Sequence, residues 1–352
     1  MKISFLGAGA IGSMFGGLLQ RDAPELDVLL VTRGEHGRAV RERGGIELIG
    51  PWGTHHQTIA SSRDVADIAG SDIVVLTVKS QDTREAIESA LPHLGHAVVA
   101  SIQNGINDHT LLELVPAERL VMGMTATNMN VLAPGRVNMQ LDGPTIFGPP
   151  ACEPLGPAVE QVVKVFQRIS CPGLTFLPHA NVLGIRYNKL TINVLGSAAS
   201  LSKSNFITEA LCDGPWREAV GWPLIRECRR VYDAAGVRLE PIPGRSNLMR
   251  IEKLLWQLDT PVLGPIVRFG ARQFYGNRPV LFSLLKDIER GKPTEVEYIN
   301  GEIVRLARSC GTGAPTNELV VRMVHELESR GDGTFFTREE VVSRMADITH
   351  KK

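Results

Sequence analysis

Lys189, Asn193 and Ser197 recur at four-residue intervals where the chain is otherwise apolar or small, LTINVLGSAASL over Leu190 to Leu201. Helical spacing puts all three on one face, and a helix of this composition is buried over most of its surface. A lysine there is either partnered or carries its ammonium to water past a packed stem. Further on, Lys292-Pro293-Thr294-Glu295-Val296-Glu297-Tyr298-Ile299-Asn300-Gly301 opens another helix, with Thr294 expected at its N-cap. Glu295 then sits in a first turn, where the helix dipole alone stabilises an acid, and is at the same time a candidate spatial partner for Lys189. A cation aimed by a carboxylate stabilises negative charge growing on an oxygen.

A second set of residues is made for phosphate. Ile3, Phe5 and Leu6 form a short apolar run that ends in Gly7-Ala8-Gly9-Ala10-Ile11-Gly12, after which Met14, Phe15, Leu18 and Leu19 recur at helical spacing. Strand, tight turn and helix in this order are the setting a dinucleotide needs: one glycine turns the chain, one admits the pyrophosphate, one lets helix and strand pack closely. The helix start offers free N–H groups to the phosphate. A basic start before an apolar run also opens a secretory signal, but such a signal has no use for three glycines at this spacing.

The elements that position these residues follow in order. Asp27 to Arg33 reads as a second strand ending in a base, where an NAD site usually has an acid, so Arg33 suits the 2'-phosphate of NADP. Gly45 to Ala60 reads as an irregular strand pair. Ser71 to Lys79 is a continuous apolar run, as in a parallel strand covered on both faces, and delivers Lys79, Ser80 and Gln81 at its carboxyl end. Ala97 to Ile102 repeats the pattern and delivers Gln103-Asn104-Gly105. Ligands of open α/β sheets bind outside those ends. Arg136 to Met139 and Thr145 to Gly148 read as a hairpin around Asp142-Gly143. A helix near Pro154 to Ile169 and a strand, Leu174 to Leu177, close this part, and the pattern is helical from about His179. The expectation is α/β: a doubly wound Rossmann domain over 1–178, then an all-helical domain over 179–352, with a ligand site between them.

Composition narrows the partners. The chain has 352 residues, with 38 basic and 38 acidic side chains and a formal net charge of +0, so nothing points to nucleic acid or an anionic membrane. Cys152, Cys171, Cys212, Cys228 and Cys310 are scattered with no CxxC pair and read as reduced core residues of a cytoplasmic protein. No metal-ligand motif is present and no apolar stretch is long and unbroken enough to span a bilayer.

Taken together, GAGAIG at Gly7 to Gly12, Arg33, Thr77-Val78-Lys79, Gln103-Asn104-Gly105, and the pairing of Asn188-Lys189-Leu190 and Asn193 with Thr294-Glu295-Val296-Glu297-Tyr298-Ile299-Asn300-Gly301 resemble the ketopantoate reductase family. The match runs to about Met323. The resemblance implies a helical C-terminal domain of the 6-phosphogluconate-dehydrogenase-like type. It also implies NADPH-dependent reduction of a 2-keto acid, 2-dehydropantoate to pantoate in pantothenate and coenzyme A biosynthesis; a homodimer is expected separately, from the long apolar helices of the second domain. It makes Lys189 the general acid or oxyanion partner, Glu295 its charged neighbour, and Asn104, Asn193 and Ser283 substrate contacts. Gly7 to Gly12, Arg33 and Lys79, with Gln81 and Asn104 beside them, fall to NADP(H). Two departures lie by the substrate. Ser197 stands where the family commonly has a second asparagine. The segment between Ser197 and Ser283 is longer than usual, with an extra helix near Asn247 to Gln257 that carries Leu254, Leu255 and Trp256. The chemistry asks for these residue types on its own account, since hydride arriving at a ketone carbon leaves negative charge on oxygen. Helices around Leu183 to Leu201 and Tyr298 to Ala307 are expected to bury surface between subunits. A reductase of a bulkier 2-keto acid and a non-catalytic NADP-binding regulator are the competing readings, and the latter gives no reason to keep both Lys189 and Glu295.

A charge-assisted hydrogen bond to phosphate is worth about 1.5–3 kcal/mol. Arg33→Ala is therefore expected to raise the Michaelis constant for NADPH on the order of 10- to 100-fold and to leave NADH little changed. Steady-state kinetics with both cofactors check this; equal use of the two by the unmutated enzyme would refute it.

Overall fold

The apolar run at the start becomes strand β1 (Lys2–Leu6), and the glycine turn leads into helix α1 (Ala10–Asp22). The computed structural model describes residues 1–244, 248–276 and 280–349. It divides into two units, Met1–Arg186 with Pro243 and Gly244, and Tyr187–Ile242 with the described residues from 248 onward.

The first unit continues with β2 (Asp27–Val31), α2 (Gly34–Glu42), β3 (Gly45–Gly50), β4 (Gly53–Thr58), β5 (Ala60–Ser62), β6 (Ile73–Leu76), α3 (Thr83–Ala90), β7 (Val98–Ser101) and α4 (Asp108–Leu114). Then come β8 (Leu120–Thr125), β9 (Asn128–Ala133), β10 (Arg136–Leu141), β11 (Pro144–Gly148), α5 (Pro157–Phe166), β12 (Thr175–Pro178) and the start of α6 (Val182–Ser200). The strands form an eight-stranded sheet in the order β12-β11-β8-β7-β6-β1-β2-β5 and a four-stranded sheet in the order β4-β3-β10-β9. In the large sheet only β8 and β11 pair antiparallel, and β6 and β7 are buried throughout, as strands covered on both faces must be.

The strand pairing differs from the sequence reading. Arg136–Met139 and Thr145–Gly148 do not form a hairpin: β10 pairs with β9 and β3 in the small sheet, whereas β11 pairs with β8 and β12 in the large one. The hairpin is β9–β10, turned at Pro134-Gly135. The Gly45–Ala60 pair is regular over its length, β3 and β4 registering from Gly45 opposite Thr58 to Gly50 opposite Gly53. The division at 186/187 also falls inside α6, eight residues beyond the expected boundary at 178/179.

Helix α1 is buried continuously from Gly12 to Leu19. An amphipathic helix would show an exposed stripe; this one has none because it packs against β1 and β2 of the large sheet and also against the small sheet. Beside it, Phe166 of α5 meets Phe5, Phe15, Phe147 and Phe176 with ring centroids 4.9–6.3 Å apart, so aromatic edges and faces interlock at the centre of the core.

The second unit holds the rest of α6, then α7 (Gly214–Trp216), a π-helical turn (Arg217–Gly221) and α8 (Trp222–Ala234) in one run, followed by α9 (Leu248–Asp259), α10 (Leu263–Tyr275), α11 (Ser283–Glu289), α12 (Val296–Ser309), α13 (Pro315–Arg330) and α14 (Arg338–Thr349). Asn247, where the extra helix was expected to start, lies outside the described residues; α9 runs two residues past the expected end at Gln257. Buried Glu227 of α8 accepts from the backbone N–H groups of Thr316 and Asn317 and from the Asn317 amide, at 3.1, 2.8 and 2.9 Å. It thereby satisfies donors that the start of α13 leaves open. No cysteine is bridged; Cys171, Cys212 and Cys228 are buried, but Cys152 is exposed and is no core residue. Among the described residues no helix is long and apolar enough to cross a membrane.

Gly7 has φ +82°, and a Cβ there would stand 2.2 Å from Val78 Cγ1 and 2.7 Å from the Val78 backbone nitrogen. Gly70 has φ +76° with open space around it. Gly7→Ala, which adds overpacking to backbone strain, is expected to lower the unfolding free energy by about 2–4 kcal/mol, and Gly70→Ala by about 1–2 kcal/mol. Urea denaturation of the two variants measures the difference; equal losses would mean that the β1–β6 junction yields freely.

Candidate functional site

In the first unit the site is built from strand ends. The chain leaves β1 toward β2 on one side and returns as β6 and β7 on the other, so β1 and β6 flank the point where the strand order reverses, the place where open α/β sheets bind ligands. The Gly7 and Ala8 N–H groups both donate to Val31 O at 3.0 Å, which draws the turn onto the end of β2. A Cβ on Gly12 would meet Thr77 Oγ1 at 2.4 Å, and the Thr77 hydroxyl donates to Gly7 O at 3.1 Å. On Gly9 a Cβ would find nothing nearer than Gly7 O at 3.8 Å, so the outer side of the turn is open. Gly9 caps α1 without a side chain and the first turn, with Ala10 and Ile11, carries no acid. The first N–H groups of a helix have no intrahelical acceptor. A side-chain-free turn against uncapped N–H groups fits a pyrophosphate.

The neighbouring strand ends are tied to it and to one another. His36 is largely buried: Nδ1 accepts from the Gly135 N–H at 3.1 Å and Nε2 lies 3.0 Å from the Ser13 hydroxyl, which itself donates to Ala8 O at 2.9 Å. Burial holds the His36 pKa below its ordinary value, in keeping with a neutral ring that accepts at one nitrogen and donates at the other. The Ser80 hydroxyl donates to Asn104 O at 2.7 Å and accepts from the Asn107 amide at 3.2 Å. Buried Gln103 donates to Val78 O and to Thr83 Oγ1 at 2.9 and 2.8 Å. The structure thus brings the Lys79–Gln81 turn and Asn104 together, with Lys79, Gln81 and Asn104 themselves half-buried. Arg33 stands at the N-cap of α2, its side chain 67% exposed and 3.6 Å from exposed Glu85, a contact too solvated to hold it.

Arg186 was missed in the sequence. It is buried, and its Nη1 donates to both carboxylate oxygens of Asp108 at 2.5 and 2.7 Å while Nη2 donates to Gly105 O at 3.2 Å. That pins the backbone next to Asn104. Its one sequence cue is a second cation three residues before Lys189 in an apolar stretch.

In the second unit Lys189 and Asn193 are half-buried on α6 and Ser197 is buried. The residues flanking Lys189 are fixed. The Tyr187 hydroxyl donates to Glu302 Oε1 of α12 at 2.7 Å, and Arg305 donates to both Glu302 oxygens at 2.6 Å. The Thr191 hydroxyl lies 3.0 Å from that of Tyr232, which also donates to Tyr187 O at 3.2 Å, and the Asn188 amide donates to Glu240 O at 2.8 Å. The Ser197 hydroxyl donates to Asn193 O at 3.0 Å.

Glu295, half-buried, is itself the N-cap of α12. Thr294 was expected there, but its hydroxyl accepts only a 3.3 Å bond from Val296 N, while its own N–H donates to Glu328 Oε1 at 2.8 Å, one residue too early for a cap. His325 lies 2.7 Å from both Glu328 and Glu297. Partial burial pulls its pKa down, the two carboxylates outweigh this, and the net shift is upward. Ser283 is exposed at the first residue of α11. The ring of Phe282 before it lies where a Cβ on Gly196 would be, 2.4 Å away, which seats this segment on α6 next to Ser197.

The model of ketopantoate reductase PanE/ApbA matches residues 3–151, and that of the ketopantoate reductase PanE/ApbA C terminal matches residues 181–328. The 2-dehydropantoate 2-reductase of Pyrococcus horikoshii is 30% identical over 343 residues, covering 95% of this chain and 100% of that one. A PanE/ApbA family ketopantoate reductase from Ralstonia eutropha JMP134 superposes with a TM-score of 0.74 at 25% identity, over 94% of this chain and 99% of the other. D-mandelate dehydrogenase, solved with NADH and anilino(oxo)acetate, shares the fold with a TM-score of 0.76 at 19% identity, over 94% and 100% of the two chains.

Breaking a buried ion pair by removing one partner costs about 3–5 kcal/mol. Arg186→Met is expected to lose that much unfolding free energy, and Asp108→Asn combined with it to recover part of the loss. Denaturation curves of the single and double variants give both values; a loss under about 1 kcal/mol, the level of a surface pair, would show that Asp108 finds water instead.

Proposed function

The chain belongs to the PanE/ApbA ketopantoate reductase family, oxidoreductases acting on a CH-OH group, and on that premise we propose that it reduces 2-dehydropantoate to pantoate with NADPH. The observation that carries the reading is α6, which holds a half-buried lysine and an asparagine one turn apart while the residues around the lysine are bonded in place. NADPH held by its pyrophosphate at the Gly7–Gly12 turn would supply the hydride. As the ketone carbon accepts it, the growing oxyanion takes a hydrogen bond and then a proton from the Lys189 ammonium. Glu295 keeps that ammonium charged and aimed, since a neighbouring carboxylate favours the protonated amine. Asn104, Asn193 and Ser283 orient the substrate through donors that carry no labile charge.

Three finer points belong to the same reading. NADP(H) is favoured over NAD(H) because Arg33, two residues past the end of β2, stands where an NAD site usually has an acid. The enzyme acts in pantothenate biosynthesis in the cytoplasm. It works as a homodimer.

A bulkier 2-keto acid as a comparably good substrate is supported by Ser197. Its hydroxyl hydrogen is engaged with Asn193 O, so it lends no donor where the family commonly has an asparagine. A site that bonds a substrate hydroxyl rejects analogues lacking it by about 10⁴-fold; with that donor missing, discrimination falls below this level.

Removing a donor to a developing oxyanion costs on the order of 10²- to 10³-fold in turnover. Lys189→Ala is expected to lose that much turnover of 2-dehydropantoate with NADPH affinity nearly intact. Nicotinamide absorbance across a panel of 2-keto acids reads both quantities. A variant that keeps more than half its activity would leave Lys189 as a packed core residue.

A further inference from the structure

Helix α10 has one packed face and one largely exposed one, on which the Phe274 ring lies edge-on to Tyr275 at 4.9 Å. Its packed side lies against α9: buried Gly264 approaches Leu258 O, and Arg268 turns inward and donates to the same carbonyl at 2.9 Å. On the other side Val262, Ile266, Phe269 and Phe274 each leave 65–76% of their surface in solvent, and Trp256 of α9 leaves 60%. Val262, Ile266, Gly270 and Phe274 follow one another at four-residue steps, so they form a single ridge of the kind that interdigitates when two helices cross. Gly270 is exposed, and a Cβ on it would meet nothing within 4 Å. Glycine weakens a helix interior, and neither packing within the chain nor backbone conformation asks for one here.

We propose that this face is where two copies of the chain pair, α10 against α10 in antiparallel order. The proposal rests on the dimer in the functional reading and names its surface. The ridge is complementary to itself. A two-fold axis passing near residue 268 sets Ile266 over Gly270 of the second copy, a large side chain over a gap, and Val262 beside Phe274 of the second copy. The apolar surface exposed by Trp256, Val262, Leu263, Ile266, Phe269 and Phe274 is on the order of 700 Å², close to the roughly 800 Å² that each partner of a stable pair buries. A lipid surface fits less well. An interfacial helix spreads several bases along its polar face, whereas of the two on α10 Arg268 is turned into the protein and only Arg272 is exposed, and a hole at the centre of the apolar face receives a side chain better than it receives a lipid. The helices expected to pair from sequence are poorly suited: α6 and α12 bury most of their apolar residues within their own chain.

Sedimentation equilibrium at micromolar concentration tests this, with near-ultraviolet circular dichroism to confirm that each variant is folded and NADPH turnover measured on the same samples. The wild-type chain is expected to be a dimer, and Ile266→Asp and Gly270→Arg each a monomer. An equimolar mixture of the two variants is expected to dimerise again, because the introduced acid and base face each other only in the antiparallel register. A dimer that survives Ile266→Asp overturns this interface but leaves dimerisation standing. A mixture that stays monomeric overturns the pairing geometry. A monomeric wild type overturns both, and its sedimentation with anionic vesicles would assign the face to lipid. Loss of reductase activity in every sample, wild type included, would count against the functional reading alone.

Discussion

No side chain fits between the ends of β1 and β6. Any atom beyond Cα on Gly7 runs into the backbone of Val78, and any on Gly12 runs into Thr77. This closeness brings the turn after β1 and the turn after β6 to the same point on the sheet edge, where the strand order reverses. The start of α1, the Lys79–Gln81 turn and Asn104 are then fixed by short links: Thr77 to Gly7, Ser80 to Asn104, Gln103 to Val78. The surrounding core gives the turn little room to relax, because α1 is enclosed between two sheets.

The helical unit is held by a different device. It buries Glu227 and Glu302 and gives each a donor from a helix distant in sequence: the first N–H groups of α13 for one and Tyr187 of α6 for the other, which Arg305 one turn along α12 also satisfies. A buried carboxylate is tolerated only when its oxygens are satisfied. Each therefore selects one register between the helices it joins. Glu302 matters most for chemistry, because it fixes the residue two positions before Lys189.

Much of this was legible in the sequence, for reasons that differ by element. The glycine turn, β6 and β7 could be read because buried parallel strands are apolar runs and the turn between strand and helix needs small residues at set places. Lys189, Asn193 and Ser197 stood out because polar residues four apart are conspicuous in an apolar helix. The small sheet was legible only as separate pieces, with β9 and the pairing of its strands hidden. Its β4, GTHHQT, is polar and half-exposed, so it shows no strand-like alternation. Asp142-Gly143 has the chemistry of a turn, but a turn says only that the chain reverses, and here Leu141 and Pro144 leave for different sheets. Arg186 was invisible as a site residue because its partner Asp108 is 78 positions away. The exposed face of α10 lies beyond the extra helix expected near Asn247 to Gln257, in a segment read only as longer than usual, since exposure is not written in composition.

The place where the two units divide has a practical meaning for anyone who wants to study them apart. A cut at the residue 178/179 boundary would strip Arg186 from the sheet-bearing half and leave the Asp108 carboxylate without its counter-charge. Cutting after Arg186 would keep that pair but sever α6 between the guanidinium that steadies Asn104 and the tyrosine that steadies Lys189, exposing a raw helix end on both fragments. Neither division yields two self-sufficient halves. Over a few residues, one helix belongs to two folding units at once.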